Sequence, residues 1–235
     1  MDNIVIGIEG LVGAGKTSIC RKLIEIMPKT VLLNGGNLYR TIVYAMMQSG
    51  EKLENLKIET DNIDIKSIMD YFNIEIKIEN NETNFYINGK LAKEEDLQSK
   101  EASIAVSAVG GKADNTALFK FARNLIDNLK KDYNIVISGR SIMQIYPNAD
   151  YHFFITASLD ERIKRKCIQY KGKEKEEEVR ENIIKRDELQ EKAGFYKLHS
   201  KTIEIDVTDC KTVEESTNKV LEKVKLPELL YKNKV

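Results

Sequence analysis

The stretch that most constrains this chain is IVIGIEGLVGAGKTSI, residues 4–19. Residues 4–8 form a short apolar run ending at glycine-rich sequence, which fits a strand buried on both faces of a parallel sheet. Gly10-Leu-Val-Gly-Ala-Gly15-Lys16-Thr17 then matches G-x-x-x-x-G-K-[ST] at every fixed position. Beyond it Ile19, Leu23, Ile24 and Met27 recur at helical spacing until Pro28 closes the segment. A strand, a glycine loop and a helix in that order make a phosphate cradle. The glycines let backbone N–H groups converge on one phosphate at the positive end of the following helix. The expected triphosphate contacts are Gly10, Gly13, Ala14, Gly15, Lys16, Thr17 and Ser18. Lys16 reaches the β and γ phosphates as a mobile charge, and the Thr17 hydroxyl is the candidate Mg²⁺ ligand. The competing reading, a glycine-rich strand–helix turn with an exposed lysine, leaves the match at every fixed position unexplained. The loop specifies a nucleoside triphosphate but not its use.

The rest of the chain supports a doubly wound α/β core. Residues 31–33, 135–137, 152–155 and 203–205 read as further short strands. Helical patterns lie at about 37–48 (with Asn37 as its cap), 114–130, 159–170 and 212–224. Residues 73–79 break the alternation. NIEIKIE has strict period two, Asn80-Asn81 intervenes, and NFYINGK follows, so a hairpin with one wet face is expected inside an inserted subdomain over 60–100. The charge-dense stretch KGKEKEEEVRENIIKRDE holds Val179, Ile183 and Ile184 at helical spacing, which reads as a solvated helix laced with i,i+4 pairs.

Composition narrows the classes. The 235 residues carry 37 Lys+Arg against 37 Asp+Glu, so no charge imbalance points to nucleic acid or a membrane surface. Cys20, Cys167 and Cys210 are too scattered for a metal site and read as buried thiols in a reducing compartment. No apolar run approaches the roughly 18 residues needed to span a bilayer, and no signal peptide is evident. A cytoplasmic protein, a monomer rather than an oligomer, is expected.

The segments NGGNLYR (34–40), the hairpin, SGRS (138–141), ASLDERIKRK (157–166) and IIKRDE (183–188) occur in the order found in bacterial cytidylate kinases. The chain resembles that family over residues 3–224. The resemblance implies a P-loop kinase core over 1–59 and 101–235, a helical lid at about 160–180, and an acceptor-side insert at 60–100. It implies ATP and Mg²⁺ as donor and metal. It also implies an acceptor-phosphate clamp of Arg40, Arg140 and Arg186, with lid arginines Arg162 and Arg165 closing over the transferring group. Lys16, Arg140, Arg162 and Arg165 form the expected catalytic set. Such cations offset the repulsion created when a phosphoryl group moves onto an anionic acceptor.

This chain departs from the family at the positions that read the base and ribose. Asn34-Gly35-Gly36 stands where Asp-Ser-Gly is usual, and Ser138-Gly-Arg-Ser141 replaces Asp-Gly-Arg-Asp. Asn115, Gln190 and Ala193 fall where an arginine, an aspartate and an arginine are expected. An ATP-dependent nucleoside monophosphate kinase with altered acceptor preference is therefore expected, CMP or dCMP being what the resemblance implies. Two alternatives stand beside it. IEGLVGAGKT and Gly139-Arg140-Ser141 are similar to deoxynucleoside kinases, but the second strand lacks their carboxylate base. A nucleotide-binding protein without transfer activity would explain the lost acids but not the retained arginines. Glu9, just before the loop, is either a carboxylate backing the metal or a strand-end charge.

Overall fold

The computed structural model describes residues 3–50, 65–97, 116–171 and 173–224. Asn115, the ends of the 60–100 insert and most of the segment after it lie outside the described residues. The chain runs β1 (Val5–Gly10), α1 (Lys16–Ile26), β2 (Thr30–Asn34), α2 (Gly35–Ser49), α3 (Ile65–Tyr71), β3 (Ile74–Glu79), β4 (Glu82–Ile87), β5 (Lys90–Leu91) and α4 (Glu94–Leu97). It continues with α5 (Thr116–Leu129), β6 (Asn134–Ser138), α6 (Ile142–Ile145), β7 (Tyr151–Thr156), α7 (Leu159–Gln169), α8 (Glu176–Lys192), β8 (Ile203–Asp206) and α9 (Val213–Leu221).

The fold is α/β with a mostly parallel central sheet in the order β3-β4-β2-β6-β1-β7-β8. All pairings from β2 to β8 are parallel. The strands alternate their side chains between two cores, as a sheet covered on both faces must. Ile6, Ile8, Leu32 and Val136 pack with Ile19, Leu23 and Ile24 of α1 and Val220 and Leu221 of α9. Val5, Leu33, Ile135 and Ile137 pack on the opposite side with Ile126 of α5 and Ile142 of α6. Strand β1 lies between β6 and β7. The chain continues from β1 through α1 to β2 on the far side of β6, while β6 is followed by β7 on the other side of β1. This switch in strand order borders a crevice at the carboxyl ends of the strands.

Two local details differ from the sequence reading. Helix α2 starts two residues earlier than Asn37, because Asn34 is its cap and accepts a hydrogen bond from the Asn37 amide at 3.3 Å. The hairpin joins the main sheet. Leu32 aligns with Glu82, the Leu32 amide donates to the Asn81 carbonyl at 2.8 Å, and the Thr83 hydroxyl donates to the Leu32 carbonyl at 3.1 Å. Its turn is the two-residue Asn80-Asn81 at φ 53° and 61°, the positive dihedrals a tight right-twisted hairpin requires.

Phe85 and Ile74 on the dry face of the hairpin pack against Leu38, Ile42 and Met46 of α2, so hairpin and α2 share one core. Phe85→Ala is expected to cost about 3–5 kcal/mol and, because that core is shared, to lower a single cooperative urea transition. A separate early transition with the main one unmoved would show that the hairpin folds on its own.

Candidate functional site

The phosphate loop is shaped by steric limits at two glycines. A Cβ on Gly10 (φ +145°) would sit 2.1 Å from the Ile155 carbonyl oxygen, so no other residue fits where β1 ends against β7. A Cβ on Gly13 (φ +80°) would meet the Arg162 carbonyl at 3.2 Å, so loop and α7 lie in direct contact. Helix α1 begins at Gly15 without a side-chain cap and without an acidic residue in its first turn. The Ile19 amide is already satisfied by the Gly15 carbonyl at 3.0 Å. The amides of Lys16, Thr17 and Ser18 precede any intrahelical partner and face an anion-ready end.

Lys16 is half-buried, and its ammonium donates to the Gly10 and Leu11 carbonyls at 2.8 and 2.7 Å. Burial first, and then the Arg140 guanidinium, push its pKa down from 10.5 to about 8. Arg40 and Arg140 are also held below their ordinary values, by burial and then by Arg186. These groups come from four separate elements: α1, α2, the β6–α6 turn and α8. Among the described residues none of Lys16, Arg40, Arg140 and Arg186 forms an ion pair with a carboxylate. Arg40 donates to the Leu97 carbonyl at 3.0 Å, and Arg140 lies 5.3 Å over the Phe195 ring. Glu94 and Glu9 act on Arg40 and Arg140 only as lesser fields. Four like charges brought together with no carboxylate ion pair among the described residues suit a polyanion.

The two lid arginines make hydrogen bonds to the loop and to their own helix pair. Arg162 is buried, and it donates to the Ala157 carbonyl at 3.1 Å, to the Val12 carbonyl at 3.2 Å and to Asp187. Arg165 donates to Glu161 at 2.9 Å, to the Ala14 carbonyl at 3.1 Å, and to Val207 and Cys210 at 2.8 and 3.2 Å. Both hold the loop, Arg162 through the Val12 carbonyl and Arg165 through the Ala14 carbonyl, and Arg165 also lines the cavity beside Gly15 and Lys16. The buried Arg162 guanidinium must be satisfied, and the loop's carbonyls are within its reach. Asp187 also accepts from the Tyr196 hydroxyl at 2.7 Å, tying α7, α8 and the loop together beside Arg186.

Sequence reasoning missed Lys166, whose field acts on Lys16 and which itself feels Arg186. It donates to Gln169 at 2.8 Å and has no carboxylate ion pair among the described residues. The available signal was its place one turn after Arg162, on the α7 face that meets Gly13. A cavity of about 780 Å³ opens beside the loop, between Gly15, Lys16 and Thr17, Lys166 and Gln169 of α7, and Thr212 and Val213 at the start of α9. That volume suits a nucleotide.

The exposed Thr17 hydroxyl stands at this opening. Among the described residues no three of His, Cys, Asp and Glu gather into a metal cage. That donor set fits Mg²⁺ held by one hydroxyl, phosphate oxygens and water. Glu9 is buried with its carboxylate on the Ile142 amide and beside His152, so it is committed away from Thr17.

The Lys16 shift has a measurable consequence. The free protein's depressed value means the unfolded chain binds more protons between pH 8 and 10.5, so stability rises with pH across that window. A polyphosphate against Lys16 reverses the shift. At pH 9 its binding is expected to take up a proton, approaching one per site, and at pH 6.5 none at this lysine. Calorimetry in buffers of different ionisation enthalpy measures this. Proton release, or no buffer dependence at pH 9, would contradict the placement of Lys16.

The family model described as cytidylate kinase matches residues 6–226. A cytidylate kinase of Clostridioides difficile (strain 630) is 30% identical over 236 residues, covering 96% of this chain and 100% of that protein. One of Halalkalibacterium halodurans is 27% identical over 231 residues, covering 96% and 99%. One of Thermotoga sp. (strain RQ2) is 31% identical over 230 residues, covering 94% and 96%. With a phosphate loop facing arginines from three other elements, and a family match that spans nearly the whole length, this chain belongs to the cytidylate kinase family.

Proposed function

We propose that this protein transfers the γ-phosphoryl group of ATP to the phosphate of a nucleoside monophosphate. CMP and dCMP are its first candidates, with discrimination among bases relaxed. The observation that carries this is the convergence of Lys16, Arg40, Arg140 and Arg186 with no carboxylate ion pair among the described residues. A site that held only a donor would not need the last three on the acceptor side.

The donor triphosphate seats on residues 10–18, its phosphates taking the free amides of α1 and drawing the Lys16 ammonium from the Gly10 and Leu11 carbonyls. Mg²⁺, held by the Thr17 hydroxyl, phosphate oxygens and water, would supply further neutralisation of the donor charge. Arg40, Arg140 and Arg186 hold the acceptor phosphate, so the two anions meet in line despite their repulsion. The attacking phosphate oxygen is already ionised at neutral pH. No general base is required, which accords with the absence of acids at Asn34, Ser138 and Ser141. Arg162 and Arg165 hold the loop in shape, and Lys166 is the α7 cation with donors to spare.

Relaxed base preference follows from what the altered positions do. The Asn34 oxygen is used to cap α2, Gly35 and Gly36 carry no polar group, and Ala193 ends α8 without one. Each polar contact to a substrate edge that is absent removes about 1–3 kcal/mol of discrimination.

The test is a steady-state transfer assay across the common ribo- and deoxynucleoside monophosphates and the free nucleosides. Transfer to monophosphates, with CMP and at least one other base within about 100-fold in kcat/KM, is expected. Tight ATP binding without transfer to any acceptor would sink the reading. Lys16→Ala is expected to lower kcat by about 10²–10³-fold with every acceptor. Arg186→Ala is expected to raise the KM of phosphorylated acceptors by about 10–100-fold and to spare phosphate-free ones. Equal damage to both classes would remove Arg186 from the clamp.

A further inference from the structure

Glu9 is the residue of the phosphate-loop approach that the transfer mechanism leaves without a task. It is buried at the end of β1, and it points toward the turn that carries Arg140. That turn is fastened to β1 at both ends. The Gly139 amide donates to the Ile8 carbonyl at 3.4 Å, and the Ile142 amide donates to the Glu9 carboxylate. Between the two pins stand Arg140 and Ser141, the latter in the left-handed region at φ 55°. A non-glycine residue holds that conformation only where its surroundings enforce it.

A buried carboxylate needs more than one amide. The second group is His152 on β7, also buried, with its Nε2 3.6 Å from the Glu9 Oε1. This Nε2 is a buried side-chain nitrogen without a hydrogen-bond partner, and it faces the carboxylate. The other ring nitrogen, Nδ1, is occupied 2.9 Å from the Thr202 hydroxyl. The seat of the ring is built by omission. A Cβ on Gly7 would lie 2.9 Å from His152 Cδ2 and 2.8 Å from Ile142 Cγ2, so Gly7 lets ring and turn approach β1 together.

We propose that Glu9, backed by His152, is a positioning residue for Arg140. The Glu9 carboxylate fixes the turn through the Ile142 amide and adds a favourable field to the Arg140 guanidinium. His152 fixes Glu9 from the opposite side, so that the carboxylate cannot swing toward the phosphates. Glu9 therefore governs acceptor capture and not donor binding. This rests on the reading of Arg140 as part of the acceptor clamp.

The variants are Glu9→Ala, Glu9→Gln and His152→Ala, with KM for ATP and for CMP measured separately. Glu9→Ala is expected to raise the CMP KM by about 10-fold or more, with the ATP KM within about 2-fold. Glu9→Gln, which keeps an oxygen for the Ile142 amide, is expected to recover most of that loss. His152→Ala is expected to fall between them. Equal rises in both KM values, or no recovery by Glu9→Gln, overturn the proposal. Hydrogen exchange of the ATP-free protein provides a readout independent of transfer. Glu9→Ala is expected to speed exchange over 139–145 by about 10-fold while leaving 16–26 unchanged. Unchanged exchange over 139–145 overturns the positioning role even if no acceptor is phosphorylated, and wild-type protein that transfers to nothing overturns the transfer reading alone.

Discussion

Mutual repulsion among Lys16, Arg40, Arg140 and Arg186 is the constraint around which the rest of the molecule is arranged. Cations brought together with partial loss of water and, among the described residues, no carboxylate ion pair cost free energy, and the depressed Lys16 pKa reflects that cost. Left to local forces, each side chain would turn to solvent. They stay near one another because each is rooted in an element whose own burial fixes its direction. Lys16 opens α1 over one core, Arg40 rides α2 over the hairpin core, and Arg140 stands on a turn pinned to β1. Anionic substrates relieve a repulsion that the fold has already set up, which is how preorganised charge favours a crowded transition state.

The second dependence is mechanical. Two guanidiniums on α7 are used as struts: Arg162 joins Val12, Ala157 and Asp187, and Arg165 joins Ala14, Glu161, Val207 and Cys210. Because Asp187 neighbours Arg186 on α8, the brace that shapes the phosphate loop also sets the root of that arginine. Movement of α7 and α8 would thereby carry both halves of the site together, a coupling through hydrogen bonds between packed elements.

Much of this was legible from residue pattern. The apolar run before Gly10, the β-branched run at 135–137 and the aromatic-rich run at 152–155 each reflect burial on both sheet faces, and the helical spacing after Lys16 reflects burial on one helix face, constraints that leave a one-dimensional trace. Asn80-Asn81 announced a turn because its positive dihedrals suit few other residues. What was not legible depends on contacts between distant segments. Docking of β4 on β2 uses a backbone pair and the Thr83 hydroxyl, which no local pattern marks, and Asn34 outcompeted Asn37 as cap because the helix begins where β2 ends. Arg162 and Arg165 lie on a charged helix whose pattern says nothing about which partner wins. Their hydrogen bonds to loop carbonyls appear only in three dimensions. Glu9 was undecidable in sequence for the same reason, since His152 lies 143 positions away.

The account's central claim is that one continuous anion site joins the donor loop to the acceptor arginines. The most direct measurement is the affinity of a bisubstrate analogue, adenosine and cytidine joined 5′-to-5′ through five phosphates, compared with ATP alone under the same salt. If Lys16, Arg40, Arg140 and Arg186 serve one site, the linked molecule should bind at least about 100-fold tighter than ATP, and that gain should vanish with salt more steeply than ATP binding does. Affinity no better than that of ATP would mean that the acceptor arginines do not share a site with the loop, and the account would be wrong.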